Sequence, residues 1–251
     1  MPVQNKLFSP LKTTRSFERV SANIKKLIFD GVLKPGEKLP PETELAHQFG
    51  VSRQTIREGL RILELSGFIT VQKGGSGGPL IQNTILHTIN ALFLDAFQME
   101  KISNQELSSA RQDIERVVLA RVVEKADGAD FDRLRENIHG AKAKLEKNLL
   151  ATDENIQFHN LLAESTKNHV YVIVMGSIMA VVRELMSRHS PEEDASMSSF
   201  TYTEGILKSR HAREFHEEIL NALVERDLPK SIQLMDAHLQ EVEERFQLFL
   251  K

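Results

Sequence analysis

The chain contains no cysteine among its 251 residues. This absence excludes a disulfide scaffold, a thiolate zinc site, a redox CxxC motif and a cysteine nucleophile. Tryptophan is also absent, and only two tyrosines occur. The sequence therefore offers no aromatic platform on which the bases of single-stranded nucleic acid would stack.

Long apolar runs are missing as well. The longest nearly apolar stretch, residues 170–182, is shorter than the ~20 residues that a membrane-spanning helix needs. The first residues, MPVQNKLFSP, lack the apolar core of a signal peptide. Hydrophobic residues make up 41% of the chain and charged residues 27%, a balance typical of soluble globular proteins. We expect a cytoplasmic protein without a membrane partner.

The net charge of −3 conceals an asymmetry along the chain. Residues 1–85 carry 12 basic and 7 acidic side chains, whereas the remainder carries 20 basic and 28 acidic ones. Eight of the nine histidines also follow residue 85. A basic front and an acidic, histidine-rich back predict two domains with different partners, and a polyanion suits the front.

The front part has the pattern of a helix-turn-helix followed by a hairpin. Apolar spacing and capping signals predict three helices, near residues 16–30, 41–48 and 53–65. A small Ala46, a turn-forming Gly50 and an apolar Ile56 stand at the spacing that lets two short helices cross tightly. The runs FITVQ and LI flank the glycine-rich KGGSGGP and predict a two-stranded wing.

The third helix has the side chains of a DNA-reading element. Burial of Ile56 leaves Arg53 and Arg57 on the exposed side, where such a helix fits a major groove about 12 Å wide. Lys73 stands beside glycines whose backbone N–H groups can approach phosphates. The alternatives are a merely solvated arginine face, or a nucleotide-binding loop, which the missing Gly-Lys-Ser/Thr disfavours.

These features resemble the winged helix-turn-helix of the GntR superfamily over residues 16–81. The segment GEKLPPETELAHQFGVSRQTIREGLRILELSGFITVQKGGSGG carries the resemblance, with Thr43 standing where family members often have a DNA-contacting basic residue. The resemblance implies DNA contacts by residues of the third helix and its cap, and by the wing tip: Ser52, Arg53, Gln54, Thr55, Arg57 and Gly77.

From residue 84 onward the pattern is helical almost throughout. Ser103 and Glu106 form a capping-box pattern at the start of one helix. Helices are predicted near residues 103–126, 130–149, 153–166, 170–187, 205–226 and 229–249. The polar, acidic segment 189–204 predicts a mobile loop.

Two histidines of this part are placed to meet. His216 and His238 each lie eleven residues from Asp227, where one helix stops and another starts. If the two helices fold antiparallel, both imidazoles lie about 16 Å from the turn and are level. Asn155 precedes His159 by four residues and shares its helix face. The alternative is that these histidines lie separately on the surface.

The segments ARQDIERVVLA, ENIQFHNLLAESTKN and EFHEEILNALVERDLPKSIQLMDAHL resemble the FadR-type effector domain of the same superfamily, over residues 100–249. The resemblance implies a metal site and an effector site. Its metal ligands would be Asn155, His159, His216 and His238, and its effector contacts Arg111 and Asn168.

Asn155 stands where the family has Asp, so it adds no charge to the predicted metal site. Three imidazoles suit a divalent ion such as zinc or nickel, but binding should be weaker or need an anionic ligand. Arg111 could bind a carboxylate through its fork-shaped guanidinium. The alternative is a surface ion pair with Glu115, four residues later.

The sequence thus predicts a mainly α protein with an N-terminal winged helix-turn-helix and a C-terminal all-α helical bundle. The expected segments are a flexible arm (1–15), a DNA-binding domain (16–82), a connecting helix (83–102) and an effector-binding and dimerisation domain (103–251). The predicted function is a ligand-responsive transcription regulator, a repressor that binds double-stranded operator DNA as a homodimer and senses a small organic acid. The alternatives are a metal-free regulator that senses a larger acyl effector, and a metalloenzyme built on the three histidines. The second is disfavoured because no motif of the sequence places a spare acid or base carboxylate near His159.

Overall fold

The computed structural model describes residues 16–71, 78–82, 85–99, 102–187 and 199–248. These residues form ten helices and a two-stranded antiparallel sheet. The elements are α1 (Ser16–Phe29), α2 (Glu42–Phe49), α3 (Arg53–Leu65), β1 (Ile69–Val71), β2 (Pro79–Ile81), α4 (Ile85–Met99), α5 (Asn104–Lys125), α6 (Gly128–Glu146), α7 (Thr152–Ser165), α8 (His169–Ser187), α9 (Ser199–Val224) and α10 (Leu228–Leu248). The chain divides into two compact units between Thr88 and Ile89, within the segment predicted as a connecting helix.

The first unit contains α1 to α3 and the hairpin. Gly50 ends α2 in the left-handed conformation, with φ 63°, which a residue with a side chain adopts less readily. Helices α1 and α3 approach closely at Gly59, where a Cβ would lie 2.9 Å from Val20 Cγ1. Ile69 pairs with Ile81 across the sheet, and both are buried with Ile56 in one core. This packing fixes α3 against the hairpin and leaves its opposite face exposed.

The second unit is a bundle in which α5, α7, α9 and α10 contact one another around a buried polar centre. Leu119, Phe158, Met179 and Leu223 are among its largest fully buried side chains and belong to one apolar core. Helix α5 begins with a complete capping box between Ser103 and Glu106, as the sequence predicts. The bundle therefore holds side chains of four helices at fixed positions.

Helix α8 is long and apolar enough to cross a membrane, judged by length and composition alone. It has 19 residues, more than the apolar stretch 170–182 suggests, because the helix continues to Ser187. Met175, Met179 and Val182 on this helix are buried in the core of the second unit. We therefore interpret α8 as a core helix.

One segment predicted from the sequence lies outside the described residues, and the structure changes the bounds of another. The arm 1–15 lies outside the described residues. The loop predicted over 189–204 is wrong at its end, because α9 already begins at Ser199. Buried Ile206 and Ala212 anchor this helix, and extending an anchored helix through polar residues costs little.

Candidate nucleic-acid interface and candidate metal centre

The exposed face of α3 begins at its N-cap. The Ser52 hydroxyl accepts a hydrogen bond from the Thr55 backbone N–H at 3.1 Å, and the two side-chain oxygens lie 2.9 Å apart. Gln54 donates to Glu58 at 3.0 Å. Arg53 and Arg57 keep more than half of their side-chain surface exposed, at 59% and 55%. The first two turns of α3 thus present polar and cationic groups outward.

A carboxylate that the sequence analysis did not single out lies against these arginines. Arg57 Nε donates to Glu42 Oε2 at 2.7 Å, and Arg53 Nη2 lies 3.9 Å from the same oxygen. Glu42 is the first residue of α2, and the crossing of α2 and α3 places it there. The helix-turn-helix spacing indicates that the first turns of α2 and α3 meet, but it does not specify which of their side chains pair.

A groove of about 570 Å³ follows this surface within the first unit. Its lining includes Thr43 on α2, Arg57 and Arg61 on α3, and Gly78 at the start of β2. Lys73 and Gly77, the predicted wing-tip contacts, lie outside the described residues. The groove carries the guanidinium groups of Arg53, Arg57 and Arg61, which can contact phosphates, and also the carboxylates of Glu42 and Glu64.

Three histidines from three helices converge in the second unit. His159 comes from α7, His216 from α9 and His238 from α10, and each is only 2% exposed. One ring nitrogen of each lies within 4.8 Å of the other two. His216 Nε2 and His238 Nε2 are 3.3 Å apart, so the antiparallel pair α9 and α10 brings them level. The arrangement can hold a single metal ion.

Helix α5 adds two charged residues to this cluster. Glu115 is fully buried, and its Oε1 lies 2.7 Å from His159 Nδ1. Arg111, 5% exposed, has Nε 3.2 Å from the same oxygen and Nη2 2.9 Å from His159 Nε2. The ion pair between Arg111 and Glu115, which the sequence offered as an alternative, therefore exists, but it is buried and not on the surface.

These contacts assign the protons of His159. A carboxylate accepts and a guanidinium only donates, so Nδ1 carries the proton and Nε2 accepts from Arg111. A carboxylate on the far nitrogen orients a histidine and increases its basicity as a metal ligand. Glu115 has the position of such a partner.

Burial governs the protonation of the cluster. Burial lowers the pKa of His159, although the nearby Glu115 carboxylate opposes it. Burial, together with His159 and Arg111, lowers the pKa of His216 well below 6.5. For Glu115, burial raises the pKa, but His159 and Arg111 outweigh it and the result is a lowered pKa. The imidazoles of His159 and His216 are thus held neutral, the form that binds metals.

Asn155 precedes His159 on the same helix and carries a buried polar atom that lacks a hydrogen-bond partner within the described part of the chain. It lies one turn before His159 on α7, and its Oδ1 is buried without a hydrogen-bond partner among the described residues. Buried amide oxygens normally have a partner. A buried carbonyl oxygen without a hydrogen-bond partner can serve as a metal ligand. Three imidazoles and this amide oxygen therefore form a ligand set that is compatible with a divalent ion.

Asn168 does not lie with the histidines. It is exposed, and its Oδ1 accepts from the Val170 backbone N–H at 2.9 Å, which caps the start of α8. The resemblance that suggested an effector contact here therefore has no support in the contacts of this side chain, whose oxygen is engaged at the helix end.

A cavity of about 430 Å³ adjoins the cluster and is lined by residues of α5, α8 and α10. Arg111 lines it together with Ser108, Gln112, Val182 and Gln240. Arg111 therefore contacts both His159 and this cavity. The carboxylates of Glu243 and Glu244 also line the cavity, so the buried Arg111 guanidinium is the group of this lining that would bind a small anionic ligand.

Comparison with known proteins divides the chain in the same two parts. Residues 17–77 match the family model described as bacterial regulatory proteins, gntR family. Residues 106–241 match the model of the FCD domain.

The chain is similar along most of its length to regulators of known name. It is 27% identical to the Uxu operon transcriptional regulator of Escherichia coli K12, with 94% of this chain and 89% of that protein covered. It is also 27% identical to the HTH-type transcriptional regulator LutR of Bacillus subtilis, with 87% and 95% covered. Among solved structures, a Streptococcus agalactiae GntR protein shares the fold, with TM-score 0.67, 19% identity, and 91% and 99% covered.

Proposed function

The chain belongs to the GntR family of bacterial regulatory proteins and carries an FCD domain, and from this premise we propose how it acts. It is a ligand-responsive, DNA-binding transcription regulator, as its relatives are, and not an enzyme. In our proposal it represses its target by binding operator DNA as a cytoplasmic homodimer. Its second unit binds a divalent metal ion and a small organic acid. The observation that carries the effector part is the convergence of three buried histidines beside Arg111.

The proposed DNA contacts divide into reading and positioning groups. Arg53 and Arg57 reach base edges or phosphates from the exposed face of α3, because both are more than half exposed there. Ser52, Gln54 and Thr55 lie at the same end of the helix and contact the backbone or bases. Gly77, by resemblance to the family, and Lys73, from its position beside the wing glycines in the sequence, complete the set.

The proposed metal ligands are the three histidines with Asn155 as the fourth. The ion, zinc or nickel, would supply a positive charge that binds a carboxylate directly. Glu115 orients His159 for this role through its contact at Nδ1. Asn155 contributes an uncharged oxygen. The protein ligands therefore do not neutralise the charge of the ion, and the site favours an additional, anionic ligand.

The proposed effector is a small carboxylate. The cavity of about 430 Å³ beside the histidines has the volume of a small-molecule site. The Arg111 guanidinium lies between the cavity and the histidines and can pair with a carboxylate through two parallel hydrogen bonds. Binding of such a ligand changes the affinity of the homodimer for its operator, and by linkage operator binding changes the affinity for the ligand.

The test is a thermal-melting screen of organic acids against tag-free protein, with and without added zinc. A small carboxylate should raise the melting temperature more in the presence of zinc, and the same compound should alter binding to the DNA upstream of the protein's own gene. Stabilisation by long-chain acyl compounds in metal-free protein would instead support the larger-effector alternative. Metal analysis of the protein as purified distinguishes the two.

A further inference from the structure

Both nitrogens of His159 lie close to a charged side chain of α5. Nδ1 lies 2.7 Å from Glu115 Oε1, and Nε2 lies 2.9 Å from Arg111 Nη2. With its proton on Nδ1, the imidazole has a single lone pair left, at Nε2. A metal ion held by this histidine must use the same lone pair that accepts the arginine hydrogen bond.

Electrostatic repulsion between Arg111 and a metal ion adds to their competition for His159 Nε2. Arg111 is 5% exposed and cannot lose its proton in a protein, although burial lowers its pKa. A divalent cation at Nε2 would face this guanidinium in a buried environment, where repulsion between like charges is much stronger than in water. Metal entry therefore requires Arg111 to leave His159.

The structure offers a place for the displaced guanidinium. Arg111 lines the neighbouring cavity as well as contacting His159. Glu115 Oε1 can hold Arg111 Nε, at 3.2 Å, while the outer nitrogens of the guanidinium turn toward the cavity. A carboxylate bound in the cavity gives these nitrogens two acceptors, which one imidazole nitrogen cannot match.

We propose that Arg111 gates the metal site: it holds His159 Nε2 until a carboxylate in the adjacent cavity takes over its guanidinium, so that carboxylate and metal bind cooperatively. This inference rests on the proposed function, since it concerns the same histidines and the same class of effector. It goes beyond the proposed function because it assigns the contact between Arg111 and His159 an inhibitory role in metal binding. Linkage requires that metal tighten carboxylate binding by the same factor.

Calorimetric titration of the metal-free protein with zinc tests the gate. Acetate, compared with chloride at equal ionic strength, should tighten zinc binding by the wild type. Arg111→Met should bind zinc about tenfold more tightly than the wild type in chloride, because no charge-assisted hydrogen bond has to be broken first. In this variant acetate should tighten zinc binding less than it does in the wild type, because only its direct contact with the metal ion is left.

Two further variants test whether a change in zinc affinity is specific to the loss of Arg111. Arg116→Met removes an arginine from the same helix, paired with Asp236 at 2.9 Å, and should leave zinc affinity unchanged. If Arg111→Met fails to fold because Glu115 loses its partner, the double variant with Glu115→Gln removes both charges and keeps an acceptor for His159 Nδ1. The gain in zinc affinity is then measured against Glu115→Gln alone, because loss of this carboxylate by itself weakens His159 as a metal ligand.

The outcomes distinguish the gate from the proposed function. Zinc binding by a folded Arg111 variant that is no tighter than that of the same protein with Arg111 intact would overturn the gate alone. Acetate that tightens zinc binding equally with and without Arg111 would also overturn it, because the anion would then act only as a direct metal ligand. A lack of zinc binding by both the wild type and the variants would overturn the proposed metal site, and the gate with it.

Discussion

The imidazole of His216 stacks on the phenyl ring of Phe158, with centroids 4.0 Å apart and planes 9° from parallel. Both side chains are buried in the bundle. The groups that face His216 are His159 on α7, His238 on α10 and the Arg111–Glu115 pair on α5. The apolar contact and the nearby cation both oppose protonation, so the folded protein holds a neutral imidazole here.

This neutrality predicts a pH dependence of stability. The pKa of His216 is well below 6.5 in the folded protein and near 6.5 in the unfolded chain. The unfolded chain therefore binds more protons as the pH falls below about 6.5, and the contribution to stability, complete above that pH, is lost progressively. Denaturant unfolding of metal-free protein should show a declining free energy of unfolding from about pH 7 to about pH 5.

A substitution at His216 tests whether this residue causes the decline in the free energy of unfolding. His216→Gln removes the titrating ring and should flatten the decline, even if it lowers stability at neutral pH. His139→Gln, at an exposed position on α6, should leave the slope unchanged. A decline of the same steepness in wild type and His216→Gln would show that the buried imidazole is not its source.

Arg57→Ala should weaken operator binding by about 1–3 kcal/mol, because a side chain that reaches base edges or phosphates is lost. Its side chain is 55% exposed, so the fold should be unaffected. Fluorescence anisotropy with labelled operator measures the loss, and circular dichroism checks the fold. Arg135→Ala, which removes an exposed arginine from the second unit, is the control. Retained operator affinity in Arg57→Ala would remove this residue from the interface.

Glu42→Gln should change specificity more than affinity. The Glu42 carboxylate, 2.7 Å from Arg57 Nε, both holds that side chain and repels phosphates near it. Its neutralisation should raise binding to non-specific DNA and steepen the salt dependence, since one more cation is free to pair with phosphate. Titrations of operator and of unrelated DNA at several salt concentrations measure the ratio. An unchanged ratio would mean that the pair has no part in selecting DNA.

The sequence predicted the first unit well because its determinants are local. Ala46, Gly50 and Ile56 act within a short segment, and Ser52 caps α3 through its near neighbour Thr55. The contact between Glu42 and Arg57 escaped prediction. It spans fifteen residues and depends on how far α2 and α3 overlap at their crossing, which periodicity does not specify.

The buried cluster was predictable only in part, for the same reason. His216 and His238 are equally spaced from one turn, so antiparallel packing alone makes them level. The contacts of His159 with Arg111 and Glu115 join α5 to α7, and a helical pattern does not say which helix packs against which. An i, i+4 pair looks the same on a surface as in a core, and therefore the burial of Arg111 had to come from the structure.

The proposed homodimer forms through residues 84–251. Helix α4 leaves Leu92 and Met99 exposed, at 63% and 81%, and burial of apolar side chains of this kind drives association. Light scattering at micromolar concentration should give twice the chain mass of 28.4 kDa. Leu92→Glu should weaken the dimer, whereas Leu65→Glu, at an exposed site on α3, should not. A monomeric mass with DNA bound one to one would contradict the proposal.

Asn155→Asp should strengthen the metal site. The buried Oδ1 of Asn155 has no hydrogen-bond partner among the described residues, and a carboxylate there would add the negative charge that three neutral imidazoles lack. Zinc should therefore raise the melting temperature more in this variant than in the wild type. At saturating zinc, each tenfold gain in affinity should add ~1.4 kcal/mol to the free energy of unfolding. His216→Ala should abolish the zinc response in both backgrounds, because it removes one of three converging ligands. Zinc binding by calorimetry that is no tighter in Asn155→Asp than in the wild type would exclude residue 155 from the coordination shell, and with it the fourth ligand of the proposed site.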